Sequence, residues 1–372
     1  MASDGLFAPT PPGLRAHASP LDQIRASRRM FIVLSAILDL RVVGPTVRAL
    51  TREPHRESVE IAGVPAELVT PAGKGPWPAF VFVTGAHPLR RREPIVQRVA
   101  EGLGRAGFVS LVPDLPGLGE GEIAVQTLES AVQVVEWMAR REGVEDGRIV
   151  LCGASVGAGL ALLVAQRTEL SSSIAVVSSI CPFADLEKMV CLATTRRYGD
   201  DGQRGSYDAA ILLRRVVARS LLATLPAGPE RTELLDRTGD ILQDQQDPLD
   251  DLRTYEAEEL GPDARAIVSL LTNSDVDRFR ELYDALPTDA RALVATLSPL
   301  PRAGAVRARV ELAVPPRDPY FPPGETQALA AALPNARLTV SGTLDHTRPM
   351  LSRARVSDLA RFSGFVLRSL AA

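Results

Sequence analysis

LCGASVGAG, residues 151–159, joins the apolar run Ile149-Val150-Leu151 to a second apolar run, residues 160–165. Ser155 carries its one hydroxyl, among glycines and alanines, and Gly153-Ala154-Ser155-Val156-Gly157 fits G-x-S-x-G. A serine held out on a sharp strand-to-helix turn needs small residues two positions away on either side, so that the two elements can pass each other. The helix beginning beyond it offers free backbone N–H groups and partial positive charge. Close packing of two elements would also explain the small residues, and five residues of this kind have little specificity. Their position after a buried-type strand and before a helix is far more specific.

Working outward, residues 79–83, 108–112, 148–152 and 173–178 are strand-length apolar runs, and 94–106, 125–140 and 156–166 read as the helices between them. Continuous apolar runs suit strands covered on both faces. Alternation with helices builds parallel βαβ units with right-handed crossovers. The turn carrying Ser155 then lies at the carboxyl edge of a central strand, where open α/β sheets bind ligands. Upstream, 58–61 and 66–69 alternate polar and apolar residues, as paired strands with one wet face do. Downstream the alternation stops at Cys181-Pro182. Residues 184–303 are helix-patterned and hold no strand-like run, after which strands resume at 307–314 and 336–341 and helices at 325–333 and 356–370. The expected fold class is therefore α/β, a mostly parallel central sheet flanked by helices. The expected division is an N-terminal helical arm (1–56), a core in two parts (57–183 and 304–372), and a helical cap or lid (184–303) over the sheet's carboxyl edge.

Composition sets outer limits. The 372 residues are 45% hydrophobic and 23% charged, and 42 basic against 45 acidic residues give a net charge of −3. Nucleic-acid binding would call for a basic excess on one face, which this balance does not suggest. Cys152, Cys181 and Cys191 cannot all pair and show no C-x-x-C spacing, which argues against a disulfide framework or a zinc site and for a reducing compartment. Ser27-Arg28-Arg29-Met30-Phe31-Ile32 looks like a twin-arginine export motif. The apolar run behind it is broken at Asp39 and Arg41, lacks an A-x-A cleavage site, and falls short of the ~20 residues that span a bilayer. The stretch 21–38 is therefore read as a helix that docks on the protein, after a loose arm over 1–20, in a cytoplasmic chain; export is the alternative. The N-terminal helices also offer a surface for a homo-oligomer.

A serine hydroxyl needs a base to attack a carbonyl. Of His17, His55, His87 and His346, only His346 follows Ser155, in SGTLDHTRP directly after the last expected strand. A loop there can bring an imidazole back over the sheet edge. The acid that orients it should come from the loop after the preceding strand, and VELAVPPRDPYFPP places Asp318 four residues past Val314. Asp185, in CPFADLE, is the runner-up; Asp345 adjoins the histidine and points poorly for the task. Two backbone N–H groups are needed for a developing oxyanion: that of Val156, next after the serine, and that of Ala86, in VTGAHP. His87 can line the pocket or cap the turn.

With these parts in the order serine, acid, histidine, the chain resembles serine hydrolases of the α/β-hydrolase superfamily, in layout bacterial esterases and dienelactone-hydrolase-like members. The likeness spans about 57–183 and 304–372, and VPDLPGLGEGE (112–122) matches the family's D-x-x-G-x-G turn. The resemblance implies an α/β-hydrolase fold and a Ser155–His346–Asp318 triad cleaving a small-molecule carboxylic ester through an acyl-serine intermediate, without metal or cofactor. Two positions depart from the pattern: Thr84-Gly85 stands where histidine-glycine is usual, and Pro315-Pro316 replaces the common glycine-rich turn before the acid.

Rival readings are fewer than the fold allows. The glycines around Ser155 do not fall as G-x-G-x-x-G, and no acidic residue ends the next strand, which excludes a dinucleotide fingerprint. Dehalogenases and epoxide hydrolases of the same fold need aspartate at the elbow. An acyltransferase or thioesterase would use the same residues, and an inactive binding protein could share the fold. One further expectation concerns Arg90-Arg91-Arg92: they hold the cap closed against its acidic stretch 244–263, where eight acidic residues stand against Arg253, or else steer an anionic substrate to the site, the plain alternative being a solvated face.

Overall fold

The computed structural model describes residues 20–38, 43–199, 205–242, 246–254, 259–350 and 355–371. The expected loose arm lies outside them except for Pro20, as do Asp39, Arg41, Asp244, Glu256 and Glu258.

Eight strands form one sheet in the order β1-β2-β4-β3-β5-β6-β9-β10. They are β1 (His55–Ile61), β2 (Val64–Thr70), β3 (Trp77–Val83), β4 (Val109–Pro113), β5 (Val144–Ala154), β6 (Ile174–Ile180), β9 (Arg309–Val314) and β10 (Ala336–Val340). β1 and β2 pair antiparallel, β2 runs antiparallel to β4, and every other pairing in this sheet is parallel. The contrast follows from burial. β1 leaves alternate residues exposed, whereas β4 is buried at all five positions and β5 at its last six, as a strand covered on both faces must be.

Helices α3 (Pro94–Arg105), α4 (Val125–Ala139) and α5 (Val156–Ala165) make the first crossovers. Strand order reverses between β3 and β5, so their carboxyl ends border the crevice that this topology opens. α5 is buried at all ten residues and carries no charge. α12 (Pro323–Ala332) links β9 to β10, and α13 (Val356–Ser369) closes the chain. α1 (Pro20–Ile37) and α2 (Val43–Leu50) precede the sheet. α1 packs on α3 and α13. Ile32, Val33 and Leu34 are buried there, and a Cβ added to Gly102 of α3 would lie 2.8 Å from Ala36 Cβ. Arg29, of the twin-arginine look-alike, lies over the Phe108 ring at 4.8 Å. No helix among the described residues is long and apolar enough to cross a membrane.

Between β6 and β9 the chain runs through α6 (Leu186–Thr195), α7 (Ile211–Leu222), α8 (Pro229–Arg237), α9 (Pro262–Thr272), α10 (Phe279–Asp284) and α11 (Thr288–Thr296). Two two-residue strands interrupt this helical stretch, β7 (Arg197–Tyr198) and β8 (Gly205–Ser206), paired antiparallel. Segments this short carry no periodicity, which is why 184–303 reads as free of strands in the sequence. The insertion joins the core at defined points. Ser220 Oγ accepts the Ile123 N–H at 2.9 Å, Arg219 pairs with Glu122 at 2.8 Å, and the Leu300 N–H donates to the Ala184 carbonyl at 3.0 Å.

Glu325 fastens the start of the insertion from below. One of its oxygens accepts the N–H groups of Ala184 (2.8 Å) and Asp185 (2.9 Å), and the other accepts the Tyr198 hydroxyl at 3.0 Å. Burial pushes the carboxyl's pKa up despite these three donors. Glu325→Leu would take the acceptor from the Ala184 and Asp185 N–H groups, at about 1–3 kcal/mol for a buried group left unpaired. We expect a lowered Tm and faster proteolytic nicking within 184–303; an unchanged nicking rate would show that the other contacts hold the insertion unaided.

Among the described residues, Arg90 and Arg91 pair outside the acidic stretch. Arg90 pairs with Glu120, and Arg91 pairs through its side chain with Asp114, whose other oxygen accepts the Arg91 N–H at 3.1 Å. Asp114 opens the D-x-x-G-x-G turn and Glu120 directly follows it. The described part of 244–263 is used within the insertion: Asp247 pairs with the buried Arg214 at 2.7 Å, and Asp250 with Arg253. Opposite charge in the sequence did not locate the partner, because the turn after β4 lies nearer.

Candidate active site

Ser155 caps α5 with φ 56° and ψ −124°, a conformation that L-residues seldom adopt. Its neighbours show why the turn excludes bulk. A Cβ on Gly157 would lie 2.3 Å from the Val83 carbonyl oxygen and 2.4 Å from that of Thr84; one on Gly153 would lie 2.1 Å from the Gly157 carbonyl oxygen. These obstacles are backbone and cannot rotate away. Gly157→Ala should therefore cost at least the ~1–3 kcal/mol typical of overpacking. The expected result is a large drop in Tm or no soluble protein; wild-type stability would contradict the close approach of β3 and α5.

The loop after β3 passes over the serine: a Cβ on Gly85 would lie 3.1 Å from Ser155 Cβ. Ala86 follows and lines, with Ser155, both cavities at this edge. Val156 opens α5, and the first N–H groups of a helix have no partner within it. His87 does both of the things foreseen for it. Its Nδ1 accepts the Leu89 N–H at 3.3 Å, and its side chain lines the larger cavity.

His346 stands between two short paired strands, β11 (Leu344–Asp345) and β12 (Arg348–Pro349), with φ 52°. Its Nδ1 lies 2.7 Å from Asp318 Oδ2. With the proton on Nδ1, Nε2 is left as an acceptor. That Nε2 is buried and has no hydrogen-bond partner among the described residues. His346 and Ser155 line the same cavity, of about 470 Å³.

Asp318 is 2% exposed. Burial by itself would raise its pKa, but the hydrogen bond and charge of His346 and the N–H groups of Tyr320 and Phe321 outweigh it and hold the carboxyl below the usual range. Those N–H groups donate to Oδ1 at 2.8 and 3.0 Å. Asp185, the runner-up, is placed elsewhere: it caps α6, accepting the Glu187 N–H at 2.9 Å. Asp345 is exposed.

Four neighbours escaped the sequence reading. The Tyr320 ring lies 4.3 Å from the imidazole, centroid to centroid, and Phe321 meets the imidazole edge-on at 5.8 Å. Their signal was present in RDPYFPP, where two aromatics follow the acid. The Tyr207 hydroxyl donates to the Asp318 carbonyl from the insertion. Cys181, at φ 53°, donates its thiol to the His346 carbonyl at 3.2 Å. Cys181, Asp318 and His346 offer ligand atoms within 4.8 Å of one another. Metal binding would need the thiolate, yet burial and the adjacent Asp318 push the Cys181 thiol well above its usual pKa. The donor set fits a metal poorly while Asp318 and His346 hold each other. All three cysteines are free and buried.

A sequence profile described as "alpha/beta hydrolase fold" matches residues 124–234, a span that includes Ser155 but neither Asp318 nor His346. No curated protein matches the chain in sequence. Among solved structures, the acylaminoacyl peptidase of Pyrococcus horikoshii is 11% identical, with 88% of this chain and 43% of that one covered and a TM-score of 0.50. This chain thus spans less than half of that peptidase. An esterase of Pyrobaculum calidifontis is 16% identical (95% of this chain, 99% of that one, TM-score 0.48), and Est1E of Butyrivibrio proteoclasticus is 14% identical (85%, 99%, TM-score 0.47). At such identities the likeness is one of fold. The chain has the alpha/beta hydrolase fold, with a mostly parallel central sheet and flanking helices.

Proposed function

We propose that the protein is a serine hydrolase that cleaves a small-molecule carboxylic ester through an acyl-serine intermediate. Ser155 Oγ attacks the carbonyl carbon while His346 Nε2 takes its proton. Asp318 holds the imidazole in the tautomer that leaves Nε2 free and stabilises the imidazolium formed in the attack. The N–H groups of Ala86 and Val156 receive the negative charge that develops on the carbonyl oxygen. His346 then returns the proton to the leaving oxygen, and water completes the cycle by the same steps. Residues 184–303 act as a cap over this centre, and the core comprises 57–183 and 304–372. No step needs a metal or cofactor, and the buried free thiols fit a reducing compartment.

One observation carries the reading: His346 and Ser155 line one cavity, and His346 holds a buried carboxylate through Nδ1 while its Nε2 has no partner among the described residues. Rapid mixing with p-nitrophenyl acetate tests it. The expected result is a burst of p-nitrophenol equal to the enzyme present, followed by slower turnover. Absence of both burst and turnover would overturn it. Added alcohols or thiols distinguish the rival chemistry, since acyl transfer to them in preference to water would make the protein an acyltransferase.

A further inference from the structure

Two cavities meet at Ser155, sharing Ala86, Leu212 and Tyr320 as walls. The first, of about 40 Å³, lies against the insertion and is lined by apolar side chains such as Val190, Val216 and Leu293. It has room for about three water-sized groups. The second, of about 470 Å³, falls within the ~300–1,000 Å³ of small-molecule sites. It follows one face of the sheet. Phe80 and Phe82 of β3, Cys152 and Ala154 of β5, and Ser178 and Ile180 of β6 are each two apart and so share a face. From Phe80 to Thr84 is four residues, or ~13 Å at the rise of a strand. The opposite wall is helical, and α1 supplies Val33 and Ile37 to it.

His346 lines the large cavity and not the small one. On the serine-hydrolase reading above, that asymmetry sorts the two halves of the substrate. In the tetrahedral intermediate the former carbonyl carbon holds Ser155 Oγ, the oxyanion, the acyl carbon and the leaving oxygen. Collapse breaks the bond to the leaving oxygen, which keeps the electron pair and takes the proton from His346 Nε2. The leaving group must therefore extend on the side of His346, into the large cavity. The acyl group takes the remaining direction, into the small one.

We propose that the protein acts on esters joining a short acyl group to a large, apolar alcohol, and that α1 is the specificity-determining wall of the alcohol site. Charge along that cavity supports a neutral occupant. Asp345 is exposed, Arg348 largely so, and Glu93 pairs with Arg348 at 3.6 Å. Deeper in, the Ser178 hydroxyl is bonded to that of Ser369 at 2.9 Å, and burial pushes the Cys152 thiol up to about 12.

Octyl acetate and ethyl octanoate are isomers that place the same chain on opposite sides of the ester. Wild-type kcat/KM should favour octyl acetate by tenfold or more. Ile37→Trp, which fills the cavity from α1, should lower kcat/KM for octyl acetate relative to ethyl acetate by about tenfold or more, chiefly through KM. Ile37→Ala, which cannot block the cavity, should lower the octyl-to-ethyl acetate ratio far less than Ile37→Trp does, and thermal melting of both variants separates occlusion from misfolding. Preference for ethyl octanoate, or a folded Ile37→Trp protein that handles octyl acetate as the wild type does, would overturn the assignment while leaving the hydrolase reading standing. No turnover of any of the three esters would overturn the hydrolase reading itself.

Discussion

Ser155→Ala should lower kcat for ester hydrolysis by on the order of 10⁶-fold, with KM changed little. The substitution removes one oxygen and leaves the elbow's backbone free to keep its shape, since alanine tolerates φ 56° no worse than serine. What disappears is the covalent route. The N–H groups of Ala86 and Val156 and the cavity walls would remain, so a residual rate of ~10³–10⁴ over water should survive. Adding His346→Ala should then cost almost nothing more, because a base without a nucleophile has no work to do. Additive losses in the double variant would mean that the two residues do not act as a unit.

Asp318→Asn should lower kcat by about 10⁴-fold, as expected when the orienting acid becomes an amide. The carboxylate now accepts from His346 Nδ1 and from the N–H groups of Tyr320 and Phe321. An asparagine can keep the two backbone bonds with its carbonyl oxygen, but then offers its NH₂ to Nδ1. That stabilises the wrong tautomer, with the proton on Nε2, and the imidazole cannot accept from Ser155. Circular dichroism and Tm should stay near wild type. Asp185→Asn is the matched control: Asp185 caps α6 and does not touch the histidine, so the variant should alter stability by ~1 kcal/mol at most and leave kcat alone. A large kcat loss for Asp185→Asn with none for Asp318→Asn would reverse the assignment.

The strands of the core were legible because burial on both faces writes a continuous apolar run, as in Phe80-Val81-Phe82-Val83. The place of Ser155 followed from glycines that only a close backbone crossing explains. The meeting of Asp318 and His346 followed from each lying just past a strand at the sheet's carboxyl edge. Other features were not legible, for physical reasons. The partners of Arg90 and Arg91 were not legible because complementary charge in a sequence carries no distance, and these two pair with Glu120 and Asp114. Tyr207 reaches Asp318 from the insertion across 111 positions of sequence, with no pattern to mark it. The apolar run of α1 announced that the helix would dock, but apolarity does not show what it packs against. That Val33 and Ile37 wall a cavity leading to Ser155 follows from how α1 packs in the fold, which the sequence does not carry.

The central claim is that Ser155 is a nucleophile activated by His346, and a fluorophosphonate tests it most directly, since such probes react with activated serines whatever the natural substrate. Digestion and mass spectrometry of the labelled protein should give one adduct, on Ser155, absent from Ser155→Ala and formed far more slowly in His346→Ala. An adduct on another residue, or unimpaired labelling of Ser155→Ala, would contradict the account.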